Sequence, residues 1–193
     1  MNTLLTNKAS PLDLDCLKKA KVIIRKATLD DLQQIYQLYK TVAQDCPGNL
    51  TQEDSEISCS YVKQEVSQGL TRGLILVVEN QGTIIGYLKA FTSKFHCQTH
   101  VLTHATMMIH PLWQNQGYGG KLLDSYLEEI KQNMPWILRF ELLPHQSNTK
   151  AIRFYTRHGF IIESLAHQKI RNRRRNFEDE VTMVWFNPNF TNH

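Results

Sequence analysis

No stretch of the chain approaches the roughly 18 consecutive apolar residues that a membrane-spanning helix needs, so no membrane role is expected. Cysteine is scarce. Cys16, Cys46, Cys59 and Cys97 show neither a CxxC pair nor regular spacing, and residues 1–20 lack the basic-then-apolar pattern of an export signal. Reduced thiols and a cytoplasmic location are therefore the expectation. Charge of one sign is also in short supply. The net charge of +4 is too small for a nucleic-acid binder, and the basic residues do not follow one helix face, so nucleic acid is not an expected partner. That mild excess does suit an anionic ligand. Repeats and low-complexity linkers are absent, so the 193 residues read as an extension over 1–20, one domain over 21–187 and a tail over 188–193. A domain of that size buries a sizeable core without staples.

What is present is a sequence of short periodic segments. Val22-Ile23-Ile24-Arg25-Lys26 is a β-branched strand, preceded by a short helix around Leu14 to Ala20. Thr28-Leu29-Asp30-Asp31 resembles a capping box and opens a helix with Leu32, Ile35, Tyr36, Tyr39 and Val42 inward, stopping at Cys46-Pro47-Gly48. Glu53 to Gln68 reads as a second helix with Ile57, Tyr61, Val62 and Val66 as its buried stripe. Leu74 to Glu79 and Thr83 to Phe91 form a hairpin about Asn80-Gln81-Gly82, and a third antiparallel segment runs from about His100 to Ile109. The order then becomes helix (from Gly117), strand (Trp136 to Leu143), helix (Asn148 to His158) and two last strands, Phe160-Ile161-Ile162 and Val181 to Phe186. The expected architecture is a mixed α+β fold: a central, mostly antiparallel twisted sheet of about seven strands with helices on both faces.

The chemistry is concentrated at Met107-Met108-Ile109-His110-Pro111-Leu112-Trp113-Gln114-Asn115-Gln116-Gly117-Tyr118-Gly119-Gly120-Lys121. Here a strand runs into a glycine-rich turn that opens a helix, which aims backbone N–H groups and the positive helix end at one spot, an anion site. A Walker A loop needs Ser or Thr after Gly120-Lys121, and the dinucleotide fingerprint needs a third glycine at the same place. Leu122 fails both.

What remains, Gln-x-x-Gly-x-Gly at Gln114, Gly117 and Gly119, resembles the acetyl-CoA loop of the GNAT superfamily. About thirty residues on, Asn148-Thr149-Lys150-Ala151-Ile152-Arg153-Phe154-Tyr155-Thr156-Arg157-His158-Gly159-Phe160 is similar, position for position, to the GNAT pattern Asn-x-x-Ala-x-x-x-Tyr-x-x-x-Gly-Phe. The resemblance spans Val22 to about Phe186. It implies an N-acetyltransferase carrying acetyl from acetyl-CoA to a primary amine by direct attack in a ternary complex. The backbone of Met107, Met108 and Ile109 would pair with the pantetheine where the fourth and fifth strands splay apart. Gln114, Asn115, Gln116, Gly117, Tyr118, Gly119 and Gly120 would wrap the pyrophosphate. Asn148 would hydrogen-bond near the pantetheine, and Tyr155 would protonate the departing thiolate. Dimers are common in the family, and a homodimer is within the expectation.

Transfer to a lysine-like amine requires removal of a proton, at a cost of about 4 kcal/mol at neutral pH, and a positioned base contributes roughly 10²–10⁴-fold. Glu141, on the fifth strand, resembles the glutamate that some family members use as base. Leu143-Pro144-His145-Gln146 makes the connection to Asn148 longer than the family spacing, and His104 and His110 stand as alternative bases. Asn148 equally fits a plain helix N-cap. His96, His100 and His104 recur every four residues, but in a strand that spacing spreads them too far to share an ion, so no metal is expected. Arg171 to Arg175 with Glu178-Asp179-Glu180 reads as a solvated hairpin tip. The acceptor carries no signature, and a non-catalytic acyl-CoA-binding domain on the same fold is the alternative.

Overall fold

The β-branched run Val22–Lys26 forms β1, the edge of a seven-stranded sheet ordered β1-β2-β3-β4-β5-β7-β6. A computed structural model describes residues 22–46, 48, 50–172 and 175–191; the expected helix around Leu14 to Ala20 lies outside them. The other strands are β2 (Gly73–Asn80), β3 (Thr83–Thr92), β4 (Val101–Ile109), β5 (Arg139–Leu142), β6 (Ile161–Arg171) and β7 (Phe177–Phe186). Every neighbouring pair is antiparallel except β4 with β5. The helices are α1 (Leu32–Asp45), α2 (Cys59–Arg72), α3 (Tyr118–Asn133) and α4 (Thr149–Arg157). This is the mixed fold expected from the pattern.

Two cores hold the layers together. On one face α1 and α2 bury Ile35, Tyr39, Val42, Val62 and Val66 against Ile75, Val77, Tyr87 and Met108. On the other, α3 buries Leu122, Leu123, Tyr126 and Ile130 against Leu76, Leu88, Phe140 and Met183, with Phe154 and Tyr155 of α4 packed alongside. The expected capping box forms at Thr28 and Asp31, but its first turn is a 3-10 turn over Leu29–Asp31. Asp31 there takes both terminal nitrogens of Arg25 at 2.8 Å.

The second helix starts later than the sequence suggested. Asp54–Glu56 makes a single 3-10 turn, and α2 opens at Cys59 because Ser58 Oγ accepts from Tyr61 N at 3.1 Å. It then runs past Gln68 to Arg72. Gly73 ends it, where any Cβ would stand 2.0 Å from the Ala90 carbonyl, so only glycine lets β2 begin flush against β3.

The last hairpin is longer than expected. β6 continues to Arg171 and β7 begins at Phe177, so Glu178, Asp179 and Glu180 lie within a strand. Cross-strand pairing replaces apolar alternation there. Glu180 pairs with Lys169, and Asp179 accepts from Gln168 N at 2.8 Å and meets His167 Nδ1 at 2.9 Å. The acids are thus mated rather than a solvated tip; Arg173 and Arg174 lie outside the described residues.

The feature that makes a site is the meeting of β4 and β5. They pair only at Val101–Arg139 and Leu102–Phe140, and from Thr103 onward the two strands diverge. Beyond Leu142 the chain turns at Pro144 and rejoins β7. Val181 N donates to Pro144 O and Gln146 N to Asp179 O, both at 2.9 Å, with a bridge between His145 and Glu180. The longer connection noted in the sequence is this re-attachment.

Candidate active site

The glycine turn delivers an open helix end. Gly117 is the N-cap of α3 in the left-handed conformation (φ +84°), with no side chain capping the first turn. The free N–H groups of that turn face outward with the positive helix end. Gly119 and Gly120 have ordinary helical geometry, and a Cβ on either would meet nothing nearer than 3.5 Å. Internal packing therefore does not require them, although each weakens the helix by about 1 kcal/mol relative to alanine. Room kept at that cost fits close approach of a pyrophosphate to the backbone.

The side chains of the turn mostly hold its shape. Gln114 Nε2 donates to Ile109 O at 3.0 Å, and Gln116 Nε2 to Leu112 O at 2.9 Å. Tyr118 packs edge-on against Trp113. Asn115, at φ +60°, accepts from Lys150 Nζ at 3.1 Å. Lys150, on the first turn of α4, is not one of the motif's fixed positions, yet it brings a cation to the glycine turn. His110 serves as a local cap, its Nδ1 accepting from Leu112 N at 3.3 Å.

Where β4 and β5 part there is a cavity of about 460 Å³. Met107, Asn148 and Tyr155 line it from the α4 side. Tyr61 and Glu65 of α2, Lys89 of β3 and His104 and Thr106 of β4 line it from the α2 side; His145 and Glu180 close the end. Met108 instead points into the α1 core, and Ile109 packs toward α3. Tyr155 Oη lies 4.0 Å from Met107 Sδ, and burial pushes its phenol up to about 12, so the hydroxyl stays protonated. Asn148 caps α4 through Oδ1, which accepts from Ala151 N at 3.1 Å, leaving its NH₂ group for the cavity. The cap and the cavity role coexist in one side chain.

Glu141 is not among the residues that line the cavity. It sits beside Arg139 on β5 and is ion-paired to it at 2.8 Å. His104 does line it, at a bulge where β4 slips against β3 and the residue takes φ +53°. Its ring stacks on Phe91 at 4.9 Å. Burial, then the charges of Lys89 and Arg72, hold its pKa below the usual 6.5 against the opposing pull of Glu65 and Glu141. Lys89 is 1% exposed, paired with Glu65 and seated 4.6 Å above the Phe91 ring. Burial lowers its pKa, with Glu65 opposing. A lone lysine inside the apolar run Ile84 to Phe91 was the signal in the sequence for this pair.

Residues 71–162 match the family described as the acetyltransferase (GNAT) domain. No curated protein is similar enough in sequence to match the chain. A GNAT-family acetyltransferase from Streptococcus pneumoniae shares the fold with a TM-score of 0.77 at 19% identity, over 86% of this chain and 99% of that one. A phosphinothricin acetyltransferase from Sinorhizobium meliloti, solved in complex with acetyl-CoA, gives 0.76 at 16% identity, over 88% and 90%. A putative acetyltransferase from Salmonella typhimurium, solved with its cofactor acetyl-CoA, gives 0.74 at 19% identity, over 90% and 96%. Fold and domain match together define an acyltransferase. Within the chain it is residues 71–162 that are similar to a GNAT acetyltransferase domain. Among the described residues no helix is long and apolar enough to cross a membrane, and no group of three ligating side chains could hold a metal ion.

Proposed function

We propose that the protein transfers an acetyl group from acetyl-CoA to a primary amine by direct attack in a ternary complex. The observation that carries this reading is the adjacency of three features: the uncapped, glycine-lined start of α3, the free edge of β4 from Thr103 on, and a half-buried phenol at the cavity between β4 and β5. The first suits a pyrophosphate, the second an extended amide-bearing arm, and the third a leaving thiolate.

In this scheme Gln114 and Gln116 brace the turn, while the N–H groups of Gly117 to Gly120 bind the pyrophosphate with Lys150 alongside. Met107, Met108 and Ile109 supply strand edge to the pantetheine. The Ile109 carbonyl is already engaged by Gln114, so that contact falls to its neighbours. The amine attacks the thioester carbonyl, forming the C–N bond, and the C–S bond breaks as the thiolate leaves. A full proton transfer from a phenol at about 12 to a thiolate of ordinary basicity is uphill by about 5 kcal/mol. Tyr155 thus stabilises the growing negative charge by donating a hydrogen bond, and the thiolate takes its proton from the acylated nitrogen.

Calorimetric titration of acetyl-CoA and CoA into the wild type and a Gly117→Glu variant tests the donor half. Micromolar binding lost in the variant is the expected result. Thiol release on adding primary amines tests the transfer. A protein that binds neither ligand sinks the reading.

A further inference from the structure

Many long cations of the surface are mated: Lys26 to Glu129, Lys40 to Asp54, Lys131 to Glu128 and Lys169 to Glu180. A group that is not lies at the seam between α3 and α4. Lys121 of α3 and Lys150, Arg153 and Arg157 of α4 are exposed and meet no carboxylate among the described residues. Arg153 reaches only Thr149 Oγ1, at 3.4 Å, and Lys121 lies over the Tyr118 ring. The nearby acid Asp124 turns instead to His158, at 3.5 Å. Two of these cations also stand against the local field. Lys121 and Lys150 occupy the first turns of their helices, where neither helix has an acid and the positive helix end disfavours a cation. Local stability selects against both, and an anion at the seam reverses the sign.

Helical spacing gives α4 two distinct faces. Asn148, Ala151 and Tyr155 line the cavity. Lys150, Phe154 and Arg157 recur at the i, i+4, i+7 spacing of another face, and that one meets α3. There Lys150 Nζ donates to Asn115 Oδ1 at 3.1 Å, and a Cβ on Gly119 would stand 4.0 Å from Phe154 Cζ. Lys150 and Arg157 are about 10 Å apart along the helix axis, one beside the glycine turn and one beyond it, with Arg153 at the outer rim. We propose that this row is a second anion site, which takes the ribose 3′-phosphate of CoA, so that the protein selects CoA thioesters over those of dephospho-CoA. The inference rests on the donor half of the reading above. CoA carries two kinds of phosphate, a pyrophosphate and a ribose monoester, and the monoester holds close to two negative charges at pH 7 because its second pKa is about 6. Backbone N–H groups at an open helix start suit the pyrophosphate, which lies against the chain. Long guanidinium forks suit the monoester, whose three free oxygens accept paired donors. Arg153 and Arg157 supply the forks, and Lys150 stands between the two phosphate groups.

Calorimetric titration of CoA and of dephospho-CoA into the full chain at low salt is the test. The wild type is expected to bind CoA about 10-fold more tightly or better. In the Arg153→Gln/Arg157→Gln double variant that preference should fall to about 2-fold or less, through loss of CoA affinity alone. Lys94→Gln removes an exposed charge on the β3–β4 connection, away from the seam, and should leave the preference intact. Equal affinity for the two ligands in the wild type overturns the inference, and that comparison needs no variant. A preference that survives the double substitution overturns it too, as does one that Lys94→Gln lowers equally, since net charge would then be its source. Dephospho-CoA bound as tightly as CoA leaves the pyrophosphate site and the acetyl-transfer reading standing. Binding of neither ligand defeats that reading and this inference with it.

Discussion

The Tyr155 hydroxyl on α4 stands 4.0 Å from the Met107 sulfur on β4, so the last helix meets the diverging strand at the point where the proposed mechanism puts the thioester. Removing only that hydroxyl isolates its chemistry. Tyr155→Phe is expected to lower kcat by about 10²-fold or more with acetyl-CoA affinity unchanged. Unfolding free energy should move by less than about 1 kcal/mol, since the hydroxyl's contact in the protein is a weak one to sulfur. Steady-state kinetics beside a thermal melt decide it; an unchanged kcat removes the phenol from the reaction.

Gly119 separates a ligand role from a structural one. A methyl group fits there, with Met107 Cε at 3.5 Å as its nearest neighbour. Gly119→Ala should therefore raise stability by up to about 1 kcal/mol while weakening acetyl-CoA binding, and Gly119→Glu should abolish binding. A glycine kept for packing would show the opposite sign in the melt.

Lys150 brings its ammonium to Asn115 at 3.1 Å. With Lys150→Ala, acetyl-CoA affinity should fall several-fold at low salt, by about 1 kcal/mol, and the salt dependence of binding should flatten as the exposed charge is removed. Titrations at two ionic strengths are sufficient.

The Lys89–Glu65 pair should respond asymmetrically to its two single removals. Lys89 is fully buried and Glu65 partly exposed. Glu65→Ala strands a buried ammonium and is expected to cost about 3–5 kcal/mol. Lys89→Met leaves a carboxylate that can turn toward the cavity and should cost less. Urea unfolding of both variants and the double variant gives the comparison; equal losses would mean that the pair is solvated.

Acid should act through Asp31. The Arg25 guanidinium holds its carboxyl below the usual 3.8, with the Thr28 N–H assisting. The unfolded chain therefore takes up the proton first, so the contribution is complete above about pH 4 and is lost as pH falls through the folded value. Between pH 4 and pH 2 the wild type should lose stability faster than Asp31→Asn, which is already weaker at pH 7.

Much of this is legible in the sequence. The helix periodicities of Leu32 to Val42 and Leu122 to Ile130, the Asn80-Gln81-Gly82 turn and both motif segments carry local signals that tertiary packing reinforces. The length of the last hairpin was not legible, because β6 and β7 are held by Lys169–Glu180 and His167–Asp179 pairs that in sequence read as solvated charge. Glu141 was placed on the right strand, but its partner Arg139, two residues away, is a contact that strand alternation allows and does not announce. The role of Lys150 depends on Asn115, 35 positions away, and no local pattern encodes that contact; the lone lysine in an apolar strand flags Lys89 but does not name its partner Glu65, 24 positions away.

The re-attachment of Pro144 and Gln146 to β7 has an evolutionary consequence. It fastens the far wall of the cavity to the hairpin and not to α3 or the glycine turn. Insertions or deletions between Leu142 and Asn148 would thus reshape the proposed acceptor side of the cavity and leave the proposed acetyl-CoA grip at the glycine turn untouched, so that the two halves are separately tunable modules of one sheet.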